Sequence, residues 1–239
     1  TTGEGITVAV IDGRINPDIP EFEGADLRVR EDSFCTDVFD SSIVEPAVSK
    51  GSFADHGTNV TAMVVGGGRG INGEKGIRGV APGATVLFYG ASAEGDGTGL
   101  ACVDVDGVDS VGSAISNAVD DGADIISLSL STAYRPDIAD AMLRAHRSGV
   151  IVLVASPQGN DLQSGFGPSM MVNTNGVVVV ESGGPDGGLV EGLSLSDPLV
   201  TVVAPGAHMR TVNGHAGWGG YRLQHGSSFA TPWVAGALA

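Results

Sequence analysis

Four side chains in this sequence have the types that hydrolysis of an amide requires: Asp12, His56, Asn160 and Ser228. A serine hydroxyl is too weakly acidic to attack a carbonyl carbon unaided, so an imidazole must accept its proton and later deliver it to the leaving amine. A carboxylate holds that imidazole in the right tautomer, and an amide N–H stabilises the oxyanion. Each residue alone has an ordinary structural explanation. Together they indicate a catalytic site, provided that the fold brings them to one place.

Ser228 lies in a Gly-Ser-Ser turn that leads into an apolar segment with Pro232 near its start. Proline is tolerated in the first helical turn, because its missing N–H would have no partner there. We therefore predict that a helix begins at Ser228, with Pro232 in its first turn. Unpaired N–H groups and the helix dipole favour an anion at such a place. The alternative is a serine that only caps the helix.

Asp12 directly follows an apolar, β-branched run at residues 6–11. Such a run is typical of a strand buried on both faces. Sites in open α/β sheets gather beyond the carboxyl ends of strands. The alternative is an aspartate that starts a turn before Gly13. His56 begins a segment with helical spacing of Val60, Met63 and Val64. A histidine there is commonly structural, but one that meets an aspartate at a strand end is a candidate base.

The elements that must position these residues alternate along the chain. Apolar runs predict strands at residues 84–89, 124–131, 150–155, 176–180 and 199–203. Helical spacing predicts helices near residues 111–122 and 137–147. Strand–helix–strand order requires right-handed crossovers and favours a parallel sheet that helices cover on both faces. We therefore predict an α/β fold, in a single domain spanning residues 1–239, with Asn160 just beyond the carboxyl end of a strand.

Composition excludes several classes of function. The chain has 239 residues, enough to bury a core, and a net charge of −16, which disfavours nucleic acid and anionic lipid as partners. No apolar run reaches the roughly 18–20 residues of a membrane helix. Cys35 and Cys102 could pair or remain thiols, and they are too sparse for a zinc site. The many acids in residues 16–53 leave a structural calcium ion open without establishing one.

Three blocks of sequence resemble the subtilisin-like serine proteases, or subtilases. They stand in the family's order at residues 8–13 (VAVIDG), 56–60 (HGTNV) and 226–232 (GSSFATP). Shorter segments at residues 79–82, 127–130, 159–160 and 204–206 also resemble the family, so the likeness covers nearly the whole chain. It implies a three-layer subtilisin-like fold with a mostly parallel central sheet and helices on both faces.

The resemblance also implies a role for each candidate. Asp12 is the orienting acid, His56 the general base and Ser228 the nucleophile, and Asn160 donates to the oxyanion together with the backbone N–H of Ser228. No cofactor is required for this chemistry. A peptide substrate would lie extended between two backbone segments, which here contain Gly97, Gly99, Ser129, Leu130 and Ser131.

The chain departs from the family's pattern in four places. Asn59 replaces a second histidine that is not the base, so the chemistry should survive. Gly13 and Arg14 follow the aspartate where the family has Ser or Thr and then Gly, which changes how the carboxylate is held. Ser131 and Thr132 stand where the primary pocket usually has glycines. Their side chains should narrow that pocket, so we predict a preference for small P1 residues.

The fourth departure concerns the amide that serves the oxyanion. Counting from Gly149 places Gln158 at that position, whereas matching the Gly-Asn pair places Asn160 there, with two extra residues. We favour Asn160. An oxyanion donor is worth about 2.7–4 kcal/mol, so an error would change the donor and not the class of reaction.

The leading hypothesis is a secreted, monomeric serine endopeptidase that cleaves polypeptides through an acyl-enzyme, from which a precursor segment and the C-terminal end are missing here. A peptide-binding module that has lost activity is one alternative; the altered segments around Asp12 and Asn160 favour it, and the intact Asp-His-Ser set opposes it. A dedicated maturation protease with one protein substrate is another, favoured by the narrowed pocket and the acidic segment.

Overall fold

A computed structural model describes residues 2–37, 40–91, 103–104, 108–130, 135–157, 171–191, 194 and 196–239. Its strands are β1 (Thr7–Asp12), β2 (Asp26–Val29), β3 (Asp32–Thr36), β4 (Val44–Pro46), β5 (Gly67–Arg69), β6 (Lys75–Arg78), β7 (Thr85–Gly90), β8 (Val103–Asp104), β9 (Ile125–Leu128), β10 (Ile151–Ala155), β11 (Val178–Gly183), β12 (Val202–Pro205), β13 (Met209–Val212) and β14 (Tyr221–Gln224). Its α-helices are α1 (Asp55–Val65), α2 (Ser110–Asp120), α3 (Pro136–Arg147) and α4 (Ser227–Leu238).

The centre of the fold is a seven-stranded parallel sheet. Its strands run in the order β12-β11-β10-β9-β1-β7-β2, and each neighbouring pair is parallel. The α/β fold and the strand–helix alternation are therefore confirmed. One member, β2, was not predicted as part of this sheet. It comes from residues 16–53, whose prolines and few periodic apolar positions favour surface loop with at most short strands, and it forms an edge of the sheet.

Helices cover both faces of the sheet. The alternate residues of β1 show this, because successive side chains of a strand point to opposite faces. Val8 and Val10 pack in one apolar cluster with residues of α1 and α4, whereas Ala9 and Ile11 pack in another with residues of α2 and α3. All four side chains are buried. The sheet thus has two cores, and the three-layer arrangement is confirmed. In the described ranges, no helix has the length and apolarity that crossing a membrane would take.

The predicted place of Pro232 is wrong. Helix α4 begins at Ser227, so Pro232 lies inside the helix and not in its first turn. Proline has no backbone N–H, so Pro232 cannot donate the regular helix hydrogen bond to the carbonyl of Ser228, four residues earlier. That carbonyl accepts a hydrogen bond from the Ser129 side chain, so a contact from outside the helix compensates for the missing donor.

Cys35, on β3, is disulfide-bonded. The sequence has only one other cysteine, Cys102, which lies outside the described residues. Structural disulfides form and persist mainly in oxidising compartments of the cell and outside it.

Tyr221 links β14 to a buried carboxylate far away in sequence. Its hydroxyl donates to Glu21 Oε1 at 2.6 Å and accepts from the N–H of Ile71 at 3.0 Å. Glu21 is buried, and within the described part of the chain its Oε2 has no hydrogen-bond partner. Burial, with the hydrogen bond to Glu21 as the next cause, raises the pKa of Tyr221 to about 12 from its ordinary value of 10.0.

Replacing Tyr221 with Phe should lower the free energy of unfolding at pH 8 by about 1–3 kcal/mol, because both oxygens of buried Glu21 then lack a donor. The folded-state pKa is raised, so the phenol's stabilisation is complete below pH 10 and is lost as the pH rises towards 12. Urea unfolding of both proteins measures this. The difference between them should shrink above pH 10; a difference that is absent at pH 8, or constant up to pH 12, contradicts the account.

Candidate active site

Asp12 and His56 form the best-defined pair at the carboxyl edge of the sheet. Asp12 is the last residue of β1, and its side chain is 2% exposed. His56 is the second residue of α1, and its Nδ1 lies 2.9 Å from Oδ1 and 3.0 Å from Oδ2 of Asp12. The N–H of Gly13 also donates to Oδ1 of Asp12, at 2.8 Å. A proton on Nδ1 satisfies the carboxylate, and this tautomer gives Nε2 the lone pair that a base needs.

Ser228 reaches the same edge from another element. It is the second residue of α4 and is partly buried. The ring of Phe229, the next residue, lies 5.7 Å from the ring of His56, centroid to centroid. The Ser228 hydroxyl donates to the backbone carbonyl of Ser129 at 3.1 Å. Transfer of its proton to His56 therefore requires the hydroxyl to turn away from that carbonyl.

The other predicted residues divide into two groups. Ser129 and Leu130 follow the carboxyl end of β9 and are buried, and Ser129 contacts Ser228 directly. The remaining predictions lie outside the described residues: Gly97, Gly99, Ser131, Gln158 and Asn160. Within the described residues, no group of three or more His, Cys, Asp or Glu side chains is placed to hold a metal ion.

The sequence model of the subtilase family matches residues 3–239. The chain belongs to the subtilase family. Alkaline elastase YaB from Bacillus sp. (strain YaB) is 31% identical over 246 residues, covering 100% of this chain and 54% of that protein. Subtilisin E from Bacillus subtilis (strain 168) is 30% identical over 248 residues, covering 100% of this chain and 55% of that protein. This subtilase thus spans about half the length of these curated relatives.

Another curated relative is named an intracellular protease. This intracellular serine protease of Paenibacillus polymyxa is 30% identical over 245 residues, covering 100% of this subtilase and 67% of that protein.

Among solved structures, a mutant of the protease domain of PatA has a TM-score of 0.74 at 22% identity, covering 99% of this chain and 78% of that one. The prenylagaramide maturation protease PagA has a TM-score of 0.72 at 22% identity, covering 100% and 76%. A cold-adapted subtilisin-like serine proteinase has a TM-score of 0.70 at 21% identity, covering 98% of this chain and 74% of that one, which shows the subtilisin-like fold.

Asn59 shows what this subtilase has in place of a second histidine. Its amide pairs with the backbone of Val212 in both directions: Nδ2 donates to the carbonyl at 2.9 Å, and Oδ1 accepts from the N–H at 2.7 Å. Nδ2 also donates to the carbonyl of Asp55 at 2.8 Å. Asn59 is fully buried. It therefore fixes α1, which carries His56, to β13.

Asp55 makes a second link between α1 and the β13–β14 hairpin. Its Oδ2 forms a salt bridge with Arg222 at 2.6 Å, and its Oδ1 accepts from the N–H of Gly214 at 2.6 Å. Asp55 directly precedes His56, and the hairpin leads directly into α4 and Ser228. The salt bridge thus helps to fix the two elements on which proton transfer would depend. Sequence reasoning missed both residues, because an acid next to a histidine and an arginine in a polar strand have many ordinary explanations.

Replacing Arg222 with Met should lower the free energy of unfolding by about 2–4 kcal/mol, since it leaves the buried Asp55 carboxylate without its cation. The loss should be smaller than for a fully buried pair, because 31% of the Arg222 side chain is exposed. Urea unfolding measures it. The matched control is Arg222→Met combined with Asp55→Asn, which removes both charges and should recover part of the loss. Wild-type stability in Arg222→Met, or no recovery in the double variant, would show that the pair does not carry this role.

Proposed function

We propose that this chain is the catalytic domain of a serine endopeptidase that cleaves peptide bonds through Asp12, His56 and Ser228. The observation that carries the proposal is the pairing of a buried strand-end carboxylate with His56 Nδ1 at 2.9 Å. The ring contact of His56 with Phe229 supports it, because it puts the imidazole beside the residue that follows Ser228. Membership of the subtilase family agrees with this chemistry.

In the proposed reaction, Ser228 Oγ attacks the scissile carbonyl carbon while His56 Nε2 accepts the hydroxyl proton. The tetrahedral intermediate collapses when the C–N bond breaks, and His56 gives the proton to the leaving amine. Water then attacks the acyl-enzyme ester with His56 again as the base, which releases the acid and restores Ser228. Asp12 remains ionised throughout and stabilises the imidazolium. We assign the oxyanion contacts to the Ser228 N–H and the Asn160 amide.

Hydrolysis of an unfolded protein such as casein tests the proposed activity. Wild-type protein should release peptides, and a fluorophosphonate should stop the release by reacting with the serine. A chain that neither cleaves casein nor reacts with the inhibitor contradicts the proposed function. This outcome would favour a peptide-binding module on the same fold.

A dedicated maturation protease is the second candidate. PagA, PatA and PatG are structural neighbours named as maturation proteases. Residues 131–132 also give this chain larger side chains than the family's usual glycines. The casein experiment also separates the two candidates. Reaction with the fluorophosphonate without casein hydrolysis would favour the dedicated protease, whereas rapid hydrolysis at many sites favours a general one.

We expect substrates to add as an extended strand between segments that contain Gly97 and Gly99 on one side and Ser129–Ser131 on the other. Ser131 and Thr132 should narrow the primary pocket. Peptides with Ala at P1 should therefore be cleaved with kcat/KM at least about 10-fold above matched Phe peptides, a difference of about 1.4 kcal/mol in transition-state binding. A peptide library that varies only P1 measures this. Equal cleavage after Ala and Phe contradicts the narrowed pocket.

Secretion is part of the proposal, because the disulfide at Cys35 fits an oxidising compartment. Relatives of both kinds exist, since one is named an extracellular protease and another an intracellular one. We further propose that residues 1–239 act as one monomeric domain on polypeptides, not on nucleic acid, and that the chemistry requires no cofactor. A structural calcium ion remains compatible with this chemistry.

A further inference from the structure

The carbonyl group of Ser228 occupies an unusual position in helix α4. A regular helix would satisfy it with the N–H of the residue four positions later, but that residue is Pro232. Proline has no N–H, and its ring also crowds the carbonyl of residue i−4. The backbone of the proposed nucleophile therefore lacks the hydrogen bond that would normally fix it.

The side chain of Ser129 supplies a replacement from outside the helix. Its Oγ donates to the Ser228 carbonyl at 2.8 Å, and Ser129 itself is buried. In the opposite direction, the Ser228 hydroxyl donates to the Ser129 carbonyl at 3.1 Å. Two reciprocal hydrogen bonds thus join the residue after β9 to the second residue of α4.

We propose that the Ser129 side chain is a positioning residue for Ser228. Its hydroxyl takes the place of the helix hydrogen bond that Pro232 removes, and so fixes the backbone that carries the attacking oxygen. This inference rests on the proposed function, in which Ser228 is the nucleophile. It concerns the side chain alone and is separate from any contact that the Ser129 backbone makes with substrate.

Two other side-chain hydrogen bonds fix the start of α4, but neither involves the Ser228 carbonyl. The Ser227 hydroxyl donates to the Ser156 carbonyl at 2.6 Å, and the Thr231 hydroxyl donates to the Ser227 carbonyl at 2.9 Å. Both fix residue 227. Small displacements of reacting groups are costly in rate, about 100-fold for 1 Å. The bond from Ser129 is therefore expected to affect kcat more than it affects folding.

A double-mutant cycle tests the proposal. Alanine at position 232 restores an N–H that can donate to the Ser228 carbonyl, so the Ser129 hydroxyl should become dispensable in Pro232→Ala. We expect Ser129→Ala to lower kcat about 10- to 50-fold in the wild-type background, with KM within about 3-fold, but to lower it less than about 3-fold in the Pro232→Ala background. Equal losses in the two backgrounds overturn the proposal.

Further variants keep the test decisive. Ser129→Thr retains a hydroxyl and should recover most of the kcat that Ser129→Ala loses. This comparison decides the matter if Pro232→Ala fails to fold. Equal losses of kcat in Ser129→Thr and Ser129→Ala overturn the proposal. Thr231→Val removes a buried hydroxyl of the same helix and should leave kcat within about 3-fold. If the wild-type protein is inactive, the proposed function fails; if it is active and the cycle is additive, only this inference fails.

Discussion

Replacing Ser228 with Ala is expected to lower kcat by about a million-fold, the scale that loss of the serine or the histidine has in subtilisin. Alanine lacks the oxygen that attacks the carbonyl carbon in the proposed mechanism. The adjacent Ser227 cannot substitute for it, because its hydroxyl is directed to the Ser156 carbonyl, 2.6 Å away. Kinetics on a chromogenic peptide give the result, and KM should change by less than about 3-fold because the substrate contacts remain.

The matched control is Ser227→Ala, which removes a hydroxyl from the neighbouring residue of the same helix. It breaks one buried hydrogen bond and should lower kcat by no more than about 10-fold. A Ser228→Ala protein whose kcat stays within about 100-fold of the wild-type value would assign the nucleophile to another residue.

Replacing Asp12 with Asn should lower kcat by about 10⁴-fold with little change in the fold. The carboxylate accepts from His56 Nδ1 through both oxygens, at 2.9 and 3.0 Å. An amide has only one acceptor oxygen and can present its N–H₂ group to Nδ1 instead. The imidazole then carries its proton on Nε2, where it cannot accept one from Ser228.

Asp18→Asn is the control for this substitution. Asp18 is near Asp12 in sequence, but it is exposed, and the salt bridge found for it among the described residues is a surface one with the exposed Lys50. Surface pairs contribute about 0–1 kcal/mol, so this variant should keep wild-type kcat and stability. Comparable activity of Asp12→Asn and Asp18→Asn would remove Asp12 from the mechanism.

The sequence allowed the elements that carry these residues to be predicted, because their signals are local. The β-branched run before Asp12 predicted β1, and helical spacing after His56 predicted α1; both are confirmed. The turn before Ser228 likewise predicted the start of α4. Each signal depends on a burial pattern that repeats within a few residues, and such a pattern can be read without knowing the partner surface.

The contacts that join these elements could not be predicted, because they connect residues far apart in sequence. Asn59 meets Val212 over 153 positions, Arg222 meets Asp55 over 167, and Tyr221 meets Glu21 over 200. No local pattern identifies such partners. The predicted place of Pro232 was wrong for the same reason. A proline inside the helix leaves the Ser228 carbonyl without its regular donor, and the hydroxyl that compensates comes from Ser129, 99 positions away in sequence.

The most direct test of the central claim is the intact mass of the native protein after reaction with a fluorophosphonate, followed by peptide mapping of the adduct. An activated serine should take up one phosphonyl group per chain, on Ser228, and both Ser228→Ala and Asp12→Asn should remain unmodified over the same period. Native protein that stays unlabelled, or that carries the adduct on another residue, contradicts a mechanism in which Asp12 and His56 activate Ser228.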